Sequence, residues 1–434
     1  MNLRTIFLGV SLASATLLAG AAKSGEGKVT YYKDALPVLQ ERCQGCHRQG
    51  EVAPMSFMSY KETRPWAKAI KSAVSTRKMP PWSADPHVGK FSNDWSLTDG
   101  QIAKLTAWVD GGALEGNASD APKPKEFVEG WNIGKPDYKV EMPSEFPVPA
   151  SGVVDYQYIV VPSGLTEDKW VQAAELRPTL RAAVHHVVVF VREKGNPWLK
   201  EAQPGIPYVP PSNQQFANTL GGGSDVLTVY TPGMAPDVWT KGMAKMVPAG
   251  ADFVFQLHYT PNGKGGMDKS KLGLTFANGE PERRVITMAA IDFQLKIPPG
   301  EANHISKAKT PNPYDSTLIS FFPHMHVRGK AFEYKVVMPD GTEQKLLNVP
   351  RYDFNWQFSY RLDKPIDLPP GARIECTAVF DNSANNAANP DPKATVKWGE
   401  QTSEEMMIGF YDLAVSKDMN RRKYSQPLRK SAGD

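Results

Sequence analysis

The hydrophobic pattern changes period once along the chain. Between residues 30 and 113 apolar positions recur at helical spacing. In SLTDGQIAKLTAWVDGG, Ile102, Leu105, Trp108 and Val109 share one helical face, Thr98 and Gln101 form a capping-box pattern, and Gly111-Gly112 ends the helix. YYKDALPVLQERC and ETRPWAKAIKSAVSTRK are two further helical candidates. GNASDAPKPKEF is polar and rich in Pro and Lys, and reads as a linker. From about residue 150 the pattern becomes short strands between Pro/Gly turns, as in DYQYIVV, HHVVVFV, DFVFQLHYT, LISFFPHMHV, FEYKVVM and MMIGFYDLAV. Roughly 280 residues of such strands exceed one ordinary sandwich and suggest two. ANGEPERRV, residues 277–285, is a plausible seam.

Composition agrees with a β-rich chain. The 434 residues are 41% hydrophobic and include 35 Gly and 37 Pro, which suits turn-rich β architecture over helical bundles. A net charge of +4 on this length is mild and implies no nucleic-acid partner. The N-terminus, MNLRTIFLGVSLASATLLAGAA, has Arg4, an uncharged apolar run and Ala19-Gly20-Ala21. It reads as a signal peptide over residues 1–22, cleaved near residue 21, and the alternative is an uncleaved anchor. No later stretch is apolar enough to span a membrane, so the mature chain is expected to be periplasmic or secreted, without a membrane span. The basic end NRRKYSQPLRK reads as a solvated tail. Only three cysteines occur, and two lie in one short motif, which leaves no disulfide framework.

That motif is CQGCH, Cys43-x-x-Cys46-His47. The two thiols add to haem vinyl groups and the adjacent histidine becomes the proximal iron ligand. A redox C-x-x-C would need an alternating β-α context, which is absent. For the sixth ligand, Met79 in RKMPPW is favoured, because a stiff Pro-Pro loop presents its thioether. Met55, Met58 and His87 compete with it. The C-x-x-C-H motif, the Met-Pro-Pro loop and the terminal helix resemble c-type cytochrome domains over about residues 30–115.

Eight histidines occur in the whole chain, and five of them concentrate in three strand-like segments: His185-His186, His258, and His324-x-His326. Residues i and i+2 share a strand face about 6–7 Å apart, so His324 and His326 can reach one metal. Adjacent histidines need a bulge or a twisted strand end to do so. His258, from another strand, would complete a three-nitrogen site with His185 and His186. Imidazole suits Zn, Cu, Fe or Ni, and a thioether favours Cu(I). Met406 and Met407 face opposite ways at the start of a late strand, so at most one joins His324 and His326. Cys376 reads as a buried strand residue, His304 as a surface loop residue, and His87 as loop or haem contact.

Taken together, VHHVVVF, FQLHYT, PHMHVRGK and EEMM, with IPPGE at 297–301, make residues 150–415 resemble the copper type II, ascorbate-dependent monooxygenases, the peptidylglycine α-hydroxylating and dopamine β-monooxygenase family. The resemblance implies two jelly-roll domains with one copper on each. It implies an electron-transfer copper on His185, His186 and His258, and an oxygen-binding copper on His324, His326 and Met406, where Met406 follows from the EEM alignment. His324, His326 and Met406 are thereby the expected catalytic residues. The implied reaction is hydroxylation of an unactivated C–H bond of a small organic molecule with O2. Two positions depart from the peptide-amidating members: Phe322 stands where they have arginine, and Phe410 where they have tyrosine. Those groups grip the peptide carboxylate, so peptide amidation is not expected.

The expected fold class is therefore multidomain: a small all-α cytochrome c domain (23–116), a linker (117–149), two all-β jelly-roll-like sandwiches (150–283 and 284–420) and a basic tail (421–434). One covalent haem c and two copper ions are expected. The tethered haem would pass electrons from an external donor (a cytochrome, a quinol-linked or an ascorbate-like reductant) to the His185/His186/His258 copper. The alternative is a non-oxygenase electron-transfer or copper reductase module.

Overall fold

A computed structural model describes residues 27–211 and 224–425. The expected signal peptide and its cleavage site lie outside the described residues, as does the tail beyond residue 425. Among the described residues no helix is long and apolar enough to cross a membrane.

Strand dominates, at 36% against 12% helix. Four sets of strands make the two main cores. Gln157–Pro162, Asp252–Tyr259, Val184–Arg192 and Ser224–Tyr230 form one four-stranded sheet. It faces Tyr138–Glu141, Lys271–Phe276, Lys169–Arg177 and Met243–Val247 across a core of Val187, Val189, Phe253, Phe255, Leu272 and Leu274. Further along, His304–Pro311, Arg373–Phe380, Gly329–Val337 and Glu343–Val349 face Arg283–Ile291, Ile408–Ser416, Ser316–His324 and Tyr360–Leu368. Leu318, Phe321, Tyr334, Val336, Ile374 and Leu413 fill that second core. The alternation of buried and half-exposed positions along Arg373–Phe380 is the period of two that the sequence shows.

The expected fold class is corrected in two respects. First, among the described residues there is no all-α domain. The helices are short, Leu36–Arg42, Tyr60–Thr63, Ala67–Ser75 and Asp99–Asp110, and Cys43-Gln44-Gly45-Cys46-His47 lies in turns after the first of them. Pro80, Pro81, Pro86 and Gly89 keep residues 76–98 out of regular structure. That stretch packs on the β region instead: Trp82 joins the second core, Phe91 pairs with Leu362, and Asn93 Nδ2 donates to the Ser359 carbonyl at 2.7 Å. Second, the sandwiches are not separate. Met243-Ala244 pair in parallel with Arg283-Arg284, so one nine-stranded sheet runs through both.

Two smaller segments also differ from expectation. The 117–149 stretch contains strands Tyr138–Glu141 and Phe146–Val148, and the first pairs with Lys271–Phe276. The start of the basic tail is a short docked helix, Arg421–Tyr424, whose buried Arg421 donates to the carbonyls of Thr287 at 2.8 Å and Ser224 at 3.1 Å. The terminal helix of the N-terminal region has both capping-box hydrogen bonds between Thr98 and Gln101. Cys376 is buried on its strand, His304 opens a strand rather than sitting in a loop, and His87 is exposed.

Candidate metal centre and adjoining cavities

The paired histidines are brought together by a bulge. His186 lies opposite His258 across two antiparallel strands, and the register shifts between Val184 and His186. His185 is the extra residue. The shift cancels the strand alternation that would send the two rings to opposite faces. The ring centroids of His185, His186 and His258 stand 4.8 to 5.4 Å apart. Their ligand nitrogens all lie within 4.8 Å of one another. His185 Nε2 donates to the Phe354 carbonyl at 2.8 Å, which leaves Nδ1 as the lone pair, 3.2 Å from His186 Nδ1. His258 Nε2 meets Thr402 Oγ1 at 3.0 Å, and its buried Nδ1 has no partner.

His324 ends its strand and His326 lies just beyond, with ring centroids 5.3 Å apart. His324 Nδ1 donates to Gln357 Oε1 at 2.8 Å, and His326 Nδ1 donates to the Glu404 carbonyl at 3.1 Å. Both bonds fix the tautomer and leave Nε2 bare, and His326 Nε2 is buried without a partner. Glu405 holds the turn: its carboxylate accepts from the backbone N–H of His326 at 2.8 Å and of Arg328 at 2.6 Å. Burial pushes its carboxyl up to about 8, against the pull of those N–H groups and Arg328. Burial lowers all five histidines, His185 and His324 to about 4 and His326 to about 3, so each ring is neutral at pH 7. Neutral rings with orphaned nitrogens fit a metal ion, and imidazoles with a thioether fit copper.

Met406 lines a cavity of about 70 Å³ together with His186, His324, Tyr156, Phe322 and Phe410. Met407 packs into the second core instead. Phe322 and Phe410 are cross-strand partners with rings 6.1 Å apart. The two histidine groups are contiguous, since His186 and His324 stand 5.7 Å apart. Three neighbours escaped sequence reasoning. Tyr156 stacks on His258 at 4.3 Å, Phe354 stacks on His185 at 4.2 Å, and Gln357 holds His324. Tyr156 lies in the predicted strand DYQYIVV, where nothing marks it out; Phe354 and Gln357 come from an irregular segment without periodicity.

A second cavity, of about 750 Å³, is lined by Cys43, Cys46, His47, Met55 and Met79 on one side and by Arg181, Tyr230, Met234, Trp356 and Phe358 of the β region on the other. Its size falls within the roughly 300–1,000 Å³ of cofactor pockets. His47 stacks on Phe57 at 4.3 Å, and its Nδ1 donates to the Met55 carbonyl at 3.3 Å, so Nε2 is free to bind iron. Both motif cysteines are free thiols; burial pushes Cys43 up to about 12 and Cys46 in the same direction. Arg48 and Arg181 pair with Glu51 at the edge. These residues fit a covalently attached haem. Met58 is exposed and, like His87, does not line this cavity.

No protein-family model matches the chain, and no curated protein matches it. Among solved structures, one of infectious bursal disease virus (Gx strain) aligns over 67% of this chain and 75% of its own at 10% identity, with a TM-score of 0.20. The major capsid protein P2 from bacteriophage PM2 aligns over 65% and 100% at 10% identity, with a TM-score of 0.26. Allantoicase aligns over 62% and 80% at 10% identity, with a TM-score of 0.18. Likenesses this slight bear on neither fold nor function.

Proposed function

We propose that the chain is a periplasmic or secreted copper-dependent monooxygenase that hydroxylates a C–H bond of a small organic molecule, with electrons delivered through a covalent haem. The observation that carries this reading is a contiguous group of five buried, neutral histidines with a bare nitrogen orphaned in each half of the group, of which His186 and His324 line one cavity with Met406. His185, His186 and His258 would hold one copper; His324, His326 and Met406 would hold the other. Copper supplies one-electron redox chemistry and O2 activation when bound, and the thioether favours its reduced state. Cys43, Cys46, His47 and Met79 would hold the haem, and an external one-electron donor would reduce it.

The chain's own residues shape the reaction. Gln357 and the Glu404 carbonyl orient His324 and His326. Phe322, Phe410 and Ile408 exclude water from the space beside Met406. Those three side chains favour an apolar group beside Met406, while Lys245, Asp237 and Asp412 supply the charged part of the same cavity wall. The test is incorporation of labelled oxygen from O2 into an organic product by copper-loaded, haem-containing protein. Incorporation that Met406→Ala abolishes, with the haem spectrum unchanged, supports the reading. Electron uptake without labelled product would point to a copper reductase or electron-transfer module instead.

A further inference from the structure

The two cavities meet at one short segment. Residues 354–358 run between them, and the side chains alternate. Trp356 and Phe358 line the haem-sized cavity, with nearly parallel rings 6.2 Å apart. Gln357, between them, lines the other cavity and accepts from His324 Nδ1 at 2.8 Å. Phe354 stacks on His185 and accepts from its Nε2. The segment is pinned at Gln357, whose Nε2 donates to the Met325 carbonyl at 3.2 Å and whose own carbonyl accepts from Thr231 Oγ1 at 2.7 Å. A Cβ built on Gly233 would lie 3.6 Å from the Phe358 ring and 3.7 Å from Cys46 Sγ, so the ring and the thiol are at most about 7 Å apart.

We propose that Trp356-Gln357-Phe358 is a fixed electron bridge between the haem at Cys43/Cys46/His47 and the metal at His324, with Gln357 as a positioning residue. The proposal rests on the haem and copper assignments above. Electron transfer weakens steeply with each through-space gap. This route has one gap of at most about 7 Å from Cys46 to Phe358, then the covalent path through the Phe358–Gln357 peptide unit and the Gln357 side chain, then one hydrogen bond to His324. A haem swinging on a tether needs no such path, but the cavity wall is already built from both parts of the chain. Each transfer takes one electron from ferrous haem, leaving ferric haem, and turns Cu(II) into Cu(I). No bond breaks and no proton moves, because the Gln357 amide does not titrate. An external one-electron reductant restores the ferrous haem.

The test uses full-length protein loaded with haem and cupric copper, without O2. The haem is reduced by a pulse and its reoxidation is followed optically at several protein concentrations. The wild type is expected to reoxidise at a rate independent of protein concentration. Gln357→Leu and Phe358→Leu should each slow that rate by at least an order of magnitude. Their haem spectrum, haem midpoint potential and copper content should stay at wild-type values, which a merely structural role would not separate from the rate. Gln357→Glu, which keeps an acceptor for His324 Nδ1, should recover most of it. Wild-type rates in both leucine variants, or a rate that scales with protein concentration, would overturn the bridge and leave the monooxygenase reading standing. Wild-type protein that takes up no haem or copper, or whose haem never reduces the copper, would overturn both.

Discussion

The rings of His186 and His324 stand 5.7 Å apart and nearly perpendicular, although one belongs to a sheet of the first sandwich and the other to the second. The shared nine-stranded sheet fixes how the two halves meet. The histidine groups are thus two ends of one buried nest rather than two distant sites. Tyr156 spans both, with its ring 4.3 Å from that of His258 and 6.4 Å from that of His326.

One consequence concerns metal content. His258→Ala removes a ligand whose Nδ1 is otherwise orphaned. Copper bound per chain is expected to fall from two ions to one, and the spectrum of the remaining ion should change because His186 touches His324. Elemental analysis with electron paramagnetic resonance checks this; two ions in the variant would contradict the ligand assignment. In the intact protein, copper at about one hundred times its dissociation constant should stabilise the fold by roughly 2.7 kcal/mol. A chelator should reverse the rise in melting temperature.

Sequence patterning and structure agree unevenly, for physical reasons. The capping box at Thr98 and Gln101 was legible because both bonds are local. That the strand must depart from regular alternation at His185-His186 was legible, but the sequence left a bulge and a twisted strand end open, and the structure has the bulge. The opposite facing of Met406 and Met407 follows from period two. The all-α domain was not legible as absent, since helical spacing in short windows cannot report that residues 80–95 pack onto strands hundreds of residues away. Nor could it reveal Gln357 or Phe354, which act through hydrogen bonds to residues far away in sequence.

The cavity beside Cys43 and Cys46 separates Met55 from Met79. The Met55 carbonyl accepts from His47, which ties that residue to the histidine side. Met79 comes from the Pro-Pro loop and lines the same cavity. Met79→His is expected to lower the haem midpoint potential, because a second imidazole replaces a thioether. Met55→Leu should leave it nearly unchanged. Spectroelectrochemical titration distinguishes them, and the opposite order would move the axial ligand to Met55.

Phe322 and Phe410 give the cavity beside Met406 an apolar wall, and Lys245, Asp237 and Asp412 line it elsewhere. Among matched pairs of compounds, the uncharged member should inhibit or drive O2 consumption at lower concentration than its carboxylate analogue. Desolvating a carboxylate against two phenyl rings without a partner is costly. Phe322→Arg should reverse the preference. If the wild type already favours carboxylates, the substrate meets Lys245, which lines the same cavity, rather than the two phenyl rings.

The joint between the sandwiches rests partly on Lys245. Its buried ammonium donates to the Val226 carbonyl at 2.6 Å and to Thr287 Oγ1 at 2.7 Å, and it lies 3.4 Å from Asp412 Oδ1. Val226 belongs to the first sandwich, while Thr287 and Asp412 belong to the second. Asp412 also accepts from Thr287 Oγ1 at 2.6 Å and from Ser320 Oγ at 3.2 Å. Asp412→Leu removes one charge and leaves the buried ammonium with only the neutral acceptors Val226 and Thr287, which costs about 3–5 kcal/mol. Lys245→Met should cost a comparable amount by leaving the carboxylate uncompensated. The double variant is expected to be less destabilised than the sum of the two, because neither charge remains buried alone. Denaturant unfolding of the four proteins yields the coupling energy. Strict additivity would mean that the two charges act independently and that the joint is held by its apolar contacts.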